Sequence, residues 1–201
     1  MAIDDDGISR ALYLVRHTPV AVSSGTCYGR SDVALQAPVD EHAAWLRTML
    51  PAELPVFCSP LSRCRLLAEA LCPTPSAAIV DERLAEMDFG DWEMRRFDDI
   101  VREQIDAWSR DPFGFRPPGG ECGAEVMARV QAALTGIMAQ HASAVIVSHG
   151  GPLRGIHGTL LGLPMQRWLE CRIEPGSLVV LRQEADQWRA QYTQCPEPAK
   201  S

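Results

Sequence analysis

The chain has 201 residues, of which 46% are hydrophobic and 22% charged, and its formal net charge is −7 at pH 7. That length favours a single domain over 1–201, large enough to bury roughly 70% of its unfolded surface without staples. The acidic balance argues against nucleic acid as the main partner, and no apolar run approaches the ~20 residues of a membrane span.

The start, MAIDDDGISR, is acidic and lacks the apolar stretch of a secretory signal, so a cytoplasmic protein is expected. Residues 1–9 and the tail from Cys195 to Ser201 are expected to fray. ALYLVR (11–16) reads as a strand that ends at Arg16-His17, followed by a Gly- and Ser-containing loop. Residues 39–50 read as a helix with Ala43, Leu46 and Leu50 on one face. PVFCS (55–59) is a second strand, and Ser59-Pro60 looks like an N-cap and first helical position opening a helix to Leu71. AAIVD (77–81) is a short strand before the loop ERLAEMDFGDW, and 96–109 reads as helical. DPFGFRPPGGE (111–121) is too rich in Pro and Gly for either helix or strand. An amphipathic helix over 122–140 carries Val126, Val130, Leu134, Ile137 and Met138 on one side. SAVIVS (143–148) is the most strand-like run, ends at His149-Gly150-Gly151 and leads into a helix from Pro152 to Leu161. SLVVLRQ and QWRAQYT close the chain as an antiparallel pair. Strands separated by helices predict a three-layer α/β/α sandwich on a mainly parallel sheet.

In open α/β sheets, ligands sit outside the carboxyl ends of the strands. Three predicted strands end in residues that phosphate chemistry uses: Arg16-His17, then Ser59-Pro60 with Arg63 just beyond, then Ser148-His149-Gly150-Gly151. Helix N-termini add free N–H groups and a partial positive charge. Any one of these pieces is ordinary, since a strand-end His is commonly structural and an Arg in a first helical turn usually faces solvent. Their joint occurrence at three strand ends points to one site, a local cation cluster within an acidic protein.

LYLVRHT, SPLSRC, RLAEMDFGDWE and VSHGGPLRG together resemble the histidine phosphatase superfamily, the phosphoglycerate-mutase-like proteins. The resemblance implies a phosphoryl group carried on His17, with Arg16, Arg63 and His149 holding its oxygens. It also implies Glu86 as general acid and then base, with Glu82, Asp88, Asp91 and Glu93 as rivals nearby. No cofactor or metal is implied, and the partner is a small phosphorylated substrate. Within the superfamily the chain looks closest to the alpha-ribazole phosphatases, on RHT with Thr18, GTCYGRSDVAL and FRPPGGE. Thr26, Tyr28, Gly29 and Gly150 would line the phosphate end, and the loop with Phe113, Phe115 and Arg116 would receive the substrate body, or serve as a rigid connector. The chain departs from the usual pattern at Thr18, Ser23, Met94 and Cys122. It lacks room for the large insertions of phosphoglycerate mutases, which favours hydrolysis over mutase chemistry.

Three rivals follow from the same residues. A cysteine-dependent phosphatase would use Cys58, but the C-x5-R register falls on Cys64 rather than Arg63 or Arg65. A metal-dependent hydrolase would use His17, His149 and Glu86, beside two arginines that repel a cation. A non-catalytic phosphate-ester binder would need neither nucleophile nor proton donor. The seven cysteines form no CxxC pair and their odd count argues against a disulfide framework, so free thiols are expected. The sequence is compatible with a monomer and with a homodimer.

Overall fold

The computed structural model describes residues 10–185 and 187–193. The expected frayed ends, 1–9 and 195–201, lie outside the described residues. The chain builds a six-stranded sheet from β1 (Ala11–Arg16), β2 (Val56–Cys58), β3 (Ile79–Val80), β4 (Ser143–Ser148), β5 (Leu178–Glu184) and β6 (Gln187–Thr193). Their order is β3-β2-β4-β1-β5-β6. β1 to β4 run parallel, while β5 and β6 are antiparallel, as the sequence pattern of the last two strands predicts. The helices are α1 (Asp40–Met49), α2 (Ser62–Leu71), α3 (Arg102–Arg110), α4 (Gly123–Gln140) and α5 (Gly150–Leu160).

The central strands are buried on both faces, and their period of two divides one apolar run between two cores. Leu12 and Leu14 of β1 and Ile146 of β4 face α4 and α5, where they meet Val130, Leu134, Leu153 and Ile156. Tyr13, Val15, Val145 and Val147 face the other way onto Ala43 and Leu46 of α1 and Leu67 of α2. This gives the predicted three layers. The parallel register sets Arg16 of β1 opposite Ser148 of β4, and Cys58 of β2 opposite Val147. The residues that follow each strand therefore emerge side by side at one edge.

Several boundaries differ from the sequence reading. Helix α2 begins at Ser62 rather than at Pro60, because Leu61 is extended. Ser59 is not its cap; the free Ser62 N–H instead donates to Asp32 Oδ1 at 2.9 Å. The expected helix 96–109 is split into a 3-10 turn (Phe97–Asp99) and α3. The chain extends between them, and Ile100 is buried beside Cys27 and Trp92. β3 shrinks to two exposed residues after a 3-10 turn at Pro75–Ala77, and α5 starts two residues before Pro152. The 111–121 loop is free of helix and strand, as expected.

Cys122 sits at the N-cap of α4, where its N–H donates to Glu125 Oε2 at 3.0 Å. Met94, another departure, holds φ 62°, the left-handed region that glycine occupies most easily. Its side chain is 52% exposed, so little packing is at stake. The left-handed geometry costs a non-glycine residue about 1–2 kcal/mol, and glycine returns about 0.5–1 kcal/mol of that as backbone entropy. Met94→Gly is therefore expected to raise Tm by ~1–3 °C in a thermal melt. A lowered Tm would show that the Met94 side chain contributes contacts that outweigh its backbone strain.

Candidate active site

The ends of β1, β2 and β4 bring His17, Ser59 and His149 together. The His17 N–H donates to Ser148 O at 3.1 Å, and the His17 and His149 rings stand 5.2 Å apart between centroids. His17 is 2% exposed, and its Nδ1 lies 2.8 Å from Thr18 O. A carbonyl can only accept, so Nδ1 carries the proton and Nε2 keeps its lone pair. Burial first, then the charges of Arg63 and Arg16, push His17 down to about 3. At neutral pH the ring is uncharged, the form a nucleophile needs.

Arg63 is fully buried. Its Nη1 donates to Ser31 O at 2.7 Å, its Nη2 to Gly29 O at 2.5 Å and its Nε to His149 Nδ1 at 3.3 Å. Its guanidinium also lies 5.6 Å from the centre of the Tyr28 ring. Every one of these partners is neutral, and among the described residues no carboxylate pairs with it. With Nδ1 accepting, His149 carries its proton on Nε2, which donates to Ser59 Oγ at 2.7 Å. Burial and then Arg63 hold His149 well below its ordinary value, so it too is neutral. Arg16 donates from Nη1 to Ile173 O at 2.7 Å, while its buried Nε has no partner among the described residues. Burial lowers the Arg16 pKa against the opposing pull of Glu86.

Glu86 faces the start of α5. Its Oε2 accepts from Gly151 N–H at 3.3 Å, and its Oε1 from Met87 N–H at 3.1 Å. Arg129 holds the preceding backbone through Arg83 O, Ala85 O and Glu86 O, and pairs with Glu121 at 3.0 Å. The rivals point elsewhere. Glu82 and Asp91 are exposed, and Asp88 accepts from Gly90 N–H at 2.8 Å. Glu93 accepts from the N–H groups of Gly29, Arg30, Ser31 and Phe89 and from the Ser31 hydroxyl. Those bonds depress its pKa against the effect of burial and fasten the 29–31 loop, whose carbonyls hold Arg63. A Cβ on Gly29 would stand 2.0 Å from Met87 O, so the two loops meet in a way only glycine permits.

Beside Glu86 opens a cavity of about 260 Å³. Its walls are mostly apolar and aromatic, with Tyr28, Phe89, Trp108, Phe113 and Trp168 among them. Of the substrate residues expected from sequence, Tyr28 lines this cavity, Gly29 supports Arg63, and Gly150 lies against Arg16. Thr26 and Arg116 are not brought to it. Thr26 pairs with Arg96 as an isolated bridge. Arg116 is drawn instead to the Glu125 carboxylate (2.6 Å) and Gly120 O, the nearest acceptors on its own loop and helix. Phe115 stacks on Trp92, while Phe113 reaches the cavity.

The sequence reading missed Ser59 as a partner of His149, named Glu93 only as a rival of Glu86, and missed Arg154, Trp108 and Trp168. Only Arg154 carried a local signal, four residues after Gly150 and so on the same side of α5. The cysteine reading loses its chemistry: Cys58 is buried and its thiol is pushed up to about 12. Cys64 lies 3.4 Å from His149 Nε2, fully buried and also raised. The six cysteines among the described residues are free thiols. No group of three His, Cys, Asp or Glu side chains gathers as a metal donor set among the described residues. No helix among them is long and apolar enough to cross a membrane.

Four depressed histidines set an acid limit on stability. His17, His42, His149 and His157 are all lowered, chiefly by burial. Below the ordinary value of 6.5 the unfolded chain binds protons that the folded one refuses, so stability falls as pH drops from 6.5 towards 3. Urea midpoints are expected to fall between pH 7 and pH 5, before ordinary carboxylates titrate. Equal midpoints would contradict the depressed histidines.

A neutral, buried imidazole with a free lone pair, flanked by two guanidinium groups, defines a site for phosphate-ester chemistry. Residues 12–195 match the histidine phosphatase superfamily (branch 1), and the chain belongs to that family. It is 30% identical over 189 residues to the probable phosphoglycerate mutase GpmB of Salmonella paratyphi C, covering 89% of this chain and 87% of the relative. The crystal structure of the alpha-ribazole phosphatase from Shigella flexneri matches with a TM-score of 0.79 at 26% identity, over 92% of this chain and 96% of the other. A mycobacterial glucosyl-3-phosphoglycerate phosphatase shares the fold with a TM-score of 0.77 at 23% identity, over 91% and 97% of the two chains. The chain is thus an enzyme of the phosphatase and mutase kind.

Proposed function

We propose that the protein is a metal-independent phosphomonoesterase working through phosphohistidine at His17, with alpha-ribazole 5′-phosphate as its substrate in cobalamin biosynthesis in the cytoplasm. The observation that carries the reading is the neutral, lone-pair-bearing His17 ring beside a buried Arg63 that has no carboxylate partner. A buried cation balanced only by neutral groups favours an anion in the adjoining space.

His17 Nε2 attacks phosphorus, and the bond to the leaving oxygen breaks as that oxygen takes a proton from Glu86. Arg16, Arg63 and His149 stabilise the charge on the remaining oxygens. In the second step the Glu86 carboxylate accepts a proton from water, the water oxygen bonds to phosphorus, and the P–N bond electrons return to His17. Glu86 is therefore protonated again and inorganic phosphate leaves. The two guanidinium groups would repel a divalent cation, which is why the reaction is expected to run without one.

The aromatic cavity beside Glu86 supports the substrate assignment. It suits a leaving group with a flat apolar body, and it offers few donors for the small, highly charged body of phosphoglycerate. The relatives described as phosphoglycerate mutases keep that second reading in view. A panel of phosphomonoesters assayed in EDTA separates them. The expected result is hydrolysis led by alpha-ribazole 5′-phosphate with release of inorganic phosphate. Preference for phosphoglycerate or a plain sugar phosphate would overturn the substrate, and ligand binding without turnover would favour a non-catalytic binder.

A further inference from the structure

Arg154, on α5, takes no part in the steps above, yet its position is unusual. Its Nε donates to Cys171 O at 2.8 Å, and its two terminal nitrogens take no partner among the described residues. Arg16 hangs from Ile173 O, so carbonyls two residues apart on one segment hold the two guanidinium groups next to each other. A Cβ placed on Gly150 would lie 3.3 Å from Arg154 Nη1 and 3.3 Å from Arg16 Cζ. Two like charges held this close, one with unused terminal donors and the other with a buried unpaired Nε, favour oxygen ligands between and beside them.

The reacting phosphoryl group already has His17, His149, Arg16 and Arg63 around it. Arg154 differs from those four in lining the aromatic cavity, together with Glu86 and Gly151. On the phosphatase reading this sets it between the phosphate-holding groups and a wall that is largely apolar. Resting on the phosphatase reading, we propose that Arg154 is a specificity residue that binds the leaving group's own oxygens. It selects phosphomonoesters in which a sugar-like collar of hydroxyl or ring oxygens separates the phosphate from the apolar body. Esters in which the phosphate joins an aromatic ring directly gain nothing from it.

Two phosphomonoesters separate collar from body: D-ribose 5-phosphate, and 1-naphthyl phosphate. Arg154→Met keeps the stem of the side chain and removes only its donors. It is expected to lower kcat/KM for ribose 5-phosphate by roughly 10- to 100-fold, the range for a lost hydrogen bond to a charged donor, mostly through KM. The value for 1-naphthyl phosphate should stay within about threefold. Arg154→Gln, which retains a donor, should recover part of the loss and serves as the second variant if the first folds poorly. Equal losses on both esters would make Arg154 a phosphoryl-group ligand and overturn the proposal, and so would no loss on either. Wild type inactive on both esters would overturn this proposal, and inactivity on alpha-ribazole 5′-phosphate as well would overturn the phosphatase reading on which it rests.

Discussion

Alanine at position 17 is expected to abolish turnover, with a fall on the order of 10⁴-fold or more in kcat, because no other group in the pocket can carry the phosphoryl group. The neighbouring candidates are already committed: His149 has both ring nitrogens engaged, and the Cys58 thiol is pushed up to about 12. Rapid acid-free quenching of wild type with a ³²P-labelled substrate should trap label that is acid-labile and alkali-stable, as a phosphoramidate bond is. The variant should trap none while still binding phosphate. The pH profile offers a second check. With His17 pushed down to about 3, the free enzyme keeps its nucleophile uncharged throughout the mildly acidic range. Corrected for the substrate's own second ionisation near ~6, the profile of kcat/KM should show no acid limb centred near the ordinary histidine value of ~6.5. A limb centred there, or labelled protein from the alanine variant, would move the nucleophile elsewhere.

Arg63→Ala should lower kcat by about 10²–10³, the scale for removing one preorganised charge-stabilising donor. Three neutral acceptors, Ser31 O, Gly29 O and His149 Nδ1, fix this guanidinium, so its orientation is set before any ligand arrives. Two of those acceptors belong to the loop that Glu93 fastens through hydrogen bonds to Gly29, Arg30 and Ser31. Glu93→Gln should therefore lose roughly tenfold in kcat in the wild-type background and almost nothing when Arg63 is already alanine. That non-additivity separates positioning of Arg63 from a general loss of structure. Equal effects in both backgrounds would assign Glu93 to stability alone, and near-normal turnover of Arg63→Ala would show that the reacting phosphate lies elsewhere.

The parts of this molecule that were legible in the sequence are those whose cause is local. β1 and β4 could be read to the residue because they are buried on both faces, which leaves an unbroken apolar run. His17 and His149 could be paired because parallel strands deliver their C-terminal residues to the same edge. Ser59 misled because a hydroxyl before proline has the pattern of a helix cap, yet its partner His149 is ninety residues away. Residues 96–109 have a helical pattern, but burial of Ile100 against Cys27 and Trp92 breaks the helix from outside the segment. Arg116 shows the opposite case: its loop reads equally as a substrate wall or a rigid connector, and Glu125 nine residues on takes its charge. Trp168 gave no signal, since only the fold of the 165–170 turn turns it towards the cavity.

The cavity wall comes from loops, α3, α4, α5 and the 165–170 turn, and no strand residue contributes to it. The register that sets Arg16 opposite Ser148 is laid down entirely within the sheet. Glu86 alone is shared between the two: it lines the cavity, whereas His17, His149, Arg16 and Arg63 stand outside it. On the proposed reading, drift in the rest of the wall changes which alcohol is released while the strand pairing keeps the histidines and Arg16 in register, so descendants of one such scaffold are free to adopt new substrates one wall residue at a time.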